Sequence, residues 1–124
     1  MKRDMDVVRQ IIKKIAEHNE PALTNEKIEF DREVSLDELV YHFKIMEEAG
    51  LINGEMSFAD NKLRYYSYSL SWYGNDFHDT FSNDNVWNKT KNFVKEKGME
   101  VSKIPIDVFI ELGKETIRKM LLGE

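Results

Sequence analysis

The sequence predicts an α+β fold in which amphipathic helices surround one β-hairpin. Three observations predict it. Residues 35–50 carry apolar side chains at helical spacing between a capping serine and a glycine stop. Residues 51–70 then read as two strands joined around Asp60-Asn61, and the remainder of the chain returns to helical spacing. Periods of 3.6 and 2 residues in separate stretches are what a mixed fold requires.

The first helix is expected over Asp4 to His18. Met5, Val8, Ile12 and Ile15 line one face, flanked by Ile11, and Asp4 is placed to cap the start. Asn19 and Pro21 close it, while Arg9, Lys13 and Lys14 fall largely on the outer side, as a solvated basic stripe would. Between Pro21 and Val34 the alternation of Ile28 and Phe30 with charged neighbours favours a short strand. One helical turn beginning at Asn25 to Lys27 is the other reading.

The helix after Ser35 organises the chain. The serine hydroxyl is suited to accept from first-turn amides, and Asp37 and Glu38 sit where the helix dipole favours carboxylates. Leu36, Leu39, Phe43, Met46 and Gly50 form its stripe, beside Val40, and Gly50 supplies a left-handed stop. In the hairpin that follows, a two-residue turn pairs Phe58 with Leu63 and Met56 with Tyr65 on one face. Leu51, Tyr66, Tyr68 and Leu70 fall on the other, so both faces are expected to be apolar or aromatic, one covered by the C-terminal helices or a partner chain. Ser71 caps a helix carrying Phe77 and Phe81. Asn83 or Asp84 caps the next, with Val86, Thr90, Phe93 and Val94 inward and Gly98 at its end. A last helix starts with Pro105 in its first turn and runs to about Leu122, with Val108, Phe109, Leu112, Thr116, Met120 and Leu121 inward.

A capped helix closing on E-E-A-G-L-I and feeding a strand resembles the third helix and first wing strand of a winged helix-turn-helix domain. The expected organisation is a single domain over 1–124, with a winged-helix core at 1–71 and a C-terminal helical extension at 72–124. The second helix, which normally braces the recognition helix against the DNA backbone, is expected to be reduced or replaced. Three helices after the wing exceed a minimal winged helix, and such additions are frequent dimerisation elements.

Composition narrows the function. Charged residues at 33% and hydrophobics at 41% describe an ordinary globular protein. No apolar run is long enough to span a bilayer, the start M-K-R-D-M-D is too polar for a signal peptide, and there is no cysteine. A cytoplasmic protein without membrane association is the expectation. The net charge of −5 argues against non-specific coating of nucleic acid, though not against a local basic patch.

The candidate contact residues follow from those elements. In winged-helix geometry the outer face of the organising helix enters the major groove, which brings forward Tyr41, His42 and Lys44. Four acids, Asp37, Glu38, Glu47 and Glu48, stand against the single base Lys44, so this helix is a poor partner for phosphate. Lys62 and Arg64 at the hairpin tip are suited to phosphate or minor-groove contact, and equally to protecting an exposed strand edge. Lys91 and Lys95 share a helix face with Trp87, a weak nucleic-acid signal beside the commoner reading of a tryptophan at the core edge. His18, His42 and His78 are not spaced as metal ligands, and no phosphate loop, G-x-S-x-G or H-E-x-x-H occurs. Neither catalysis nor a cofactor is expected.

Four blocks carry a family likeness: M-K-R-D-M-D, Y-H-F-K-I-M-E-E-A-G-L-I, L-S-W-Y-G-N-D-F-H-D and N-D-N-V-W-N-K-T-K. Their order over nearly the whole chain resembles an uncharacterised bacterial family, a domain of unknown function common in prophages and mobile elements. The resemblance implies a phage or mobile-element origin and a bacterial cytoplasm, with no functional residue to carry over. Two functional expectations stand: a small DNA-binding regulatory protein contacting double-stranded DNA, or a protein-interaction module that has lost its DNA face. A homodimer through the wing or the C-terminal helices fits either.

Overall fold

The computed structural model describes residues 1–123. Among them, five helices and a three-stranded antiparallel sheet follow in order. These are α1 (Met5–Glu17), β1 (Leu23–Thr24), α2 (Leu36–Glu48), β2 (Ile52–Ala59), β3 (Lys62–Leu70), α3 (Trp72–Phe81), α4 (Asp84–Glu96) and α5 (Ile106–Leu122). A short 3-10 turn, Val101–Lys103, precedes α5. The buried side chains run from Met5 and Ile11 of α1 through Tyr68 of β3 to Phe109 of α5.

Capping chemistry sets the helix starts. Asp4 accepts from the amides of Asp6 and Val7 at 2.9 and 3.4 Å. Ser35 Oγ accepts from Glu38 N–H at 3.1 Å while the Glu38 carboxylate accepts from Ser35 N–H, a reciprocal capping box. Gly50, at φ +77°, ends α2, and Leu51 N–H reaches back to the Met46 carbonyl at 2.9 Å. The packed face of α2 is centred on His42, Phe43 and Met46. Leu36, expected in that stripe, is the first residue of the helix and is left half exposed.

The segment before α2 departs from expectation. The strand is Leu23–Thr24, paired as Leu23↔Tyr68 and Thr24↔Ser67, and neither strand nor helix forms at 25–34. Asn25 ends the strand at φ +52°: its N–H reaches the Tyr66 carbonyl and its Oδ1 accepts from Tyr66 N–H, at 3.0 and 3.1 Å. The alternation of Ile28 and Phe30 instead anchors a loop, with Ile28 buried and Phe30 packed beside the core. No second helix separates β1 from α2.

The hairpin turn is where Asp60-Asn61 placed it, both residues at positive φ. Its register is different. Phe58 pairs with Leu63, but Ser57 then pairs with Tyr65, leaving Arg64 as the extra residue of a bulge. Met56 therefore meets Tyr66, not Tyr65. A slip of one residue exchanges the faces of a strand. Tyr66, Tyr68 and Leu70 lie across from Met56, Gly54 and Ile52 on the core side, and the far face carries Asn53, Glu55, Ser57, Tyr65, Ser67 and Ser69. The expected two-sided apolar wing is thus replaced by one with a polar outer face, and no second apolar face needs a cover.

The C-terminal helices pack through an aromatic cluster. Phe81 lies 5.0 Å from Phe77, 5.1 Å from Trp87 and 5.0 Å from Phe109, between ring centroids. A Cβ on Gly113 would stand 2.5 Å from the Phe81 ring, so the missing side chain lets α5 approach closely. That approach rotates the buried stripe of α5 to Phe109, Ile110 and Gly113, leaving Val108, Met120 and Leu121 exposed where they were expected inside. On α4, Trp87 takes the inward position and Phe93 is 42% exposed. Pro105 occupies the cap position, one residue before the first turn.

Candidate functional site

The contact candidates divide among three surfaces. On α2, Tyr41 is half-buried with its ring edge-on to His42, and Lys44 is exposed. His42 does not belong to the outer face: it is 0% exposed. Its Nε2 accepts from Asp4 N–H at 3.0 Å, so the ring proton sits on Nδ1 and is donated to the Glu38 carbonyl at 2.7 Å. His42 therefore ties α2 to the start of α1 and is unavailable to a ligand. Of the acids on α2, Glu38 is paired with Arg32 at 2.7 Å and Glu47 accepts from the Tyr68 hydroxyl at 3.2 Å. Asp37 and Glu48 stay exposed beside Lys44.

The β2–β3 hairpin holds Lys62 and Arg64 exposed at its tip. The bulge presents Arg64 without a cross-strand neighbour. Behind the tip the polar outer face includes a Thr24–Ser67 hydroxyl pair at 2.9 Å. Tyr66 and Tyr68 are anchored inward. The Tyr66 hydroxyl donates to the Glu26 carbonyl, and burial with the Glu26 charge pushes its pKa up to about 12.

The third surface is the junction of α1 and α4. Asp6 Oδ1 accepts from Trp87 Nε1 and from Lys91 Nζ, both at 2.8 Å. Arg9 and Lys91 lie over the Trp87 ring at 5.4 and 5.3 Å. Arg9 was expected outside. It instead donates to the carbonyls of Phe81 and Ser82 at the end of α3 and to Asp84. A groove of about 600 Å³ opens beside this junction. Most charges around it are spent on each other: Arg32 on Asp4 and Glu38, Lys91 on Asp6, and Lys2 on Glu100. Arg3 donates to the Ser102 and Ile104 carbonyls. Among the described residues, Arg3 and Lys95 are the lining cations without an ion pair, and Lys95 alone makes no hydrogen bond to the chain either. Lys91 and Lys95 thus share a surface, but Lys91 is a structural cation. Lys62 and Arg64 belong to a different surface, the hairpin tip.

Asp6 makes this junction sensitive to acid. Burial raises the pKa of its carboxyl, but hydrogen bonds from Lys91 and Trp87 and the charges of Lys91 and Lys95 outweigh burial and leave it below the ordinary value. A carboxyl depressed in the folded state stabilises fully above its unfolded pKa of about 3.9, and that stabilisation is lost as pH falls through the folded value. Wild type is therefore expected to lose more thermal stability than Asp6→Asn as pH is lowered from neutral to below about 4. Parallel Tm–pH curves by circular dichroism would refute this assignment.

Among the described residues, no group of three or more His, Asp or Glu side chains is placed to hold a metal ion. No helix among them is long and apolar enough to cross a membrane.

Residues 2–100 match a family model described as "Hypothetical protein (DUF2513)". The chain belongs to the DUF2513 family. An uncharacterized protein of Haemophilus influenzae is 31% identical over 124 residues, covering 98% of this chain and 99% of that one. No solved structure matches the chain. The expectation of an uncharacterised family of unknown function is met. The DUF2513 match spans α1 through α4 and stops before α5, whereas the Haemophilus relative aligns over nearly the full length.

Sequence reasoning missed Asp6 and Arg9 in this DUF2513 chain. The spacing of Trp87, Lys91 and Lys95 flagged one side of the junction. The carboxylate partner of Trp87 and Lys91 lies 81 and 85 residues earlier in the chain, and no local pattern reports such a pairing.

Proposed function

We propose that this protein is a small, non-enzymatic winged-helix protein that binds double-stranded DNA as a regulator, with its wing as the main phosphate contact. The observation that carries the reading is connectivity. A helix, a short strand, a capped helix and a hairpin assemble into a sheet of order β1-β3-β2, with α2 feeding the hairpin directly. Support for the wing comes from its polar outer face and from Lys62 and Arg64 at the tip. The outer face of α2 offers Tyr41 and Lys44 beside Asp37 and Glu48, so it contributes little to phosphate affinity. A bacterial cytoplasm and a phage or mobile-element setting rest on the resemblance of the sequence blocks alone.

The test is fluorescence anisotropy of a labelled random duplex, titrated at low and then physiological salt. Binding on the order of micromolar at low salt, weakening steeply as salt rises, is expected. Replacing Lys62 and Arg64 together with alanine is expected to flatten the salt dependence by about two ion equivalents. No binding at low salt overturns the reading. The second reading, a protein-interaction module, is favoured by the exposed carboxylates of α2 and by a groove between α4 and α5 in which Phe93 and Met120 are exposed.

A further inference from the structure

The surface with the strongest unsatisfied chemistry lies between α4 and α5, away from the wing. Phe93 and Met120 line a groove of about 360 Å³ there, together with Lys89, Asn92, Glu96, Thr116 and Lys119. Phe93 is 42% exposed and Met120 40%, and the last turn of α5 adds Leu121 at 81% and Leu122 at 65%. Large apolar side chains clustered this way are unusual on a surface unless something covers them. The position is not an accident of a frayed end. The close approach at Gly113 sets the buried stripe of α5 on Phe109, Ile110 and Gly113 and leaves Met120 and Leu121 outside it, while the buried stripe of α4, Val86, Trp87, Thr90 and Val94, leaves Phe93 at its edge.

The charge around this groove selects its occupant. Lys89 and Lys119 flank it, and Lys97 stands 5.5 Å over the Phe93 ring. Neither Lys89, Lys97 nor Lys119 has an ion-pair partner among the described residues, unlike Lys91, Lys114 and Arg118. Glu96 is the one acid lining the groove among the described residues. This is a basic rim on a protein of net charge −5. A second copy docking through the same patch would bring together the three lysines of each copy against one glutamate apiece, because a two-fold contact pairs a surface with itself. A concave cleft between two helices accepts a ridge of side chains, in the manner of a helix laid in a groove.

We propose that the α4–α5 groove docks an acidic amphipathic segment of another protein, with aliphatic side chains on Phe93 and Met120 and carboxylates on Lys89, Lys97 and Lys119. The assignment is independent of DNA binding by the wing, since the two surfaces share no residue.

The test uses the full chain, ¹⁵N-labelled, and two synthetic helical peptides with the same leucine stripe, one with a glutamate polar face and one with a lysine polar face. The glutamate peptide is expected to bind with a Kd on the order of tens of micromolar. It should shift amides of 89–97 and 116–122 and leave those of the wing unchanged. Lys119→Glu and Met120→Ser, both at exposed positions lining the groove, are each expected to weaken it about tenfold. Four results would overturn the proposal. These are no shifts at the groove with the glutamate peptide, equal binding of the lysine peptide, the same shifts produced by duplex DNA or phosphatidylglycerol vesicles, or a concentration-dependent dimer that Met120→Ser abolishes.

Discussion

Replacing Trp87 with alanine is expected to destabilise the protein by about 3–5 kcal/mol, the range for deleting a buried large aromatic side chain. Trp87 is 3% exposed and meets Phe77, Phe81 and Phe109 with centroids 6.1, 5.1 and 5.5 Å away. These rings come from α3, α4 and α5, so the cavity would open where all three meet. The indole also donates to Asp6 and lies under Arg9 and Lys91, which join α4 to α1. Trp87→Phe keeps most of the packing and removes the donor, and is expected to cost about 1–2 kcal/mol. Urea unfolding followed by far-ultraviolet circular dichroism measures both. Trp72, the other tryptophan, is 87% exposed, so the alanine variant should show red-shifted emission in the folded state as well. A cost below about 1 kcal/mol for Trp87→Ala would mean that the aromatic cluster collapses freely around the gap.

Local chemistry was legible in the sequence, and long-range geometry was not. Asp4, Ser35, Ser71 and Asn83 cap helices because a short polar side chain before an apolar period can do little else there. Asp60-Asn61 turned the hairpin for the same reason: both residues tolerate positive φ. The faces of that hairpin are not legible, because a bulge depends on what the strand packs against and Arg64 looks like any other strand residue in sequence. His42 was misplaced because a histidine beside Tyr41 reads as surface, whereas its two ring nitrogens are satisfied by backbone groups from two helices. Of the seven contact candidates, Lys44, Lys62, Arg64 and Lys95 are exposed, Tyr41 is half-buried, and His42 and Lys91 are spent on internal bonds. The α4–α5 groove was hidden by periodicity itself: helical spacing alone assigned Phe93, Met120 and Leu121 to the core. The buried stripes instead run through Phe109, Ile110 and Gly113 on α5 and through Val86, Trp87, Thr90 and Val94 on α4, which leaves all three outside.

Gly54→Ala is expected to cost about 3 kcal/mol or more, whereas Gly50→Ala costs about 1 kcal/mol. Both glycines lie at positive φ, +154° and +77°, so both substitutions strain the backbone. Only Gly54 adds a collision. A Cβ there would fall 1.9 Å from the Ser67 carbonyl oxygen and 2.7 Å from Tyr68 Cδ1, while the space around Gly50 is open. Tyr68 cannot swing away. It is fully buried, 4.8 Å from the Phe43 ring, and its hydroxyl donates to Glu47 on α2. The added methyl must therefore push β2 off β3 at the pair where the sheet meets the organising helix, or drive Tyr68 into Phe43. Urea midpoints separate the two glycines, and amide exchange across Asn53 to Met56 should accelerate in Gly54→Ala alone. Equal costs at the two positions would show that backbone conformation, and not the close passage over Tyr68, is what glycine supplies at residue 54.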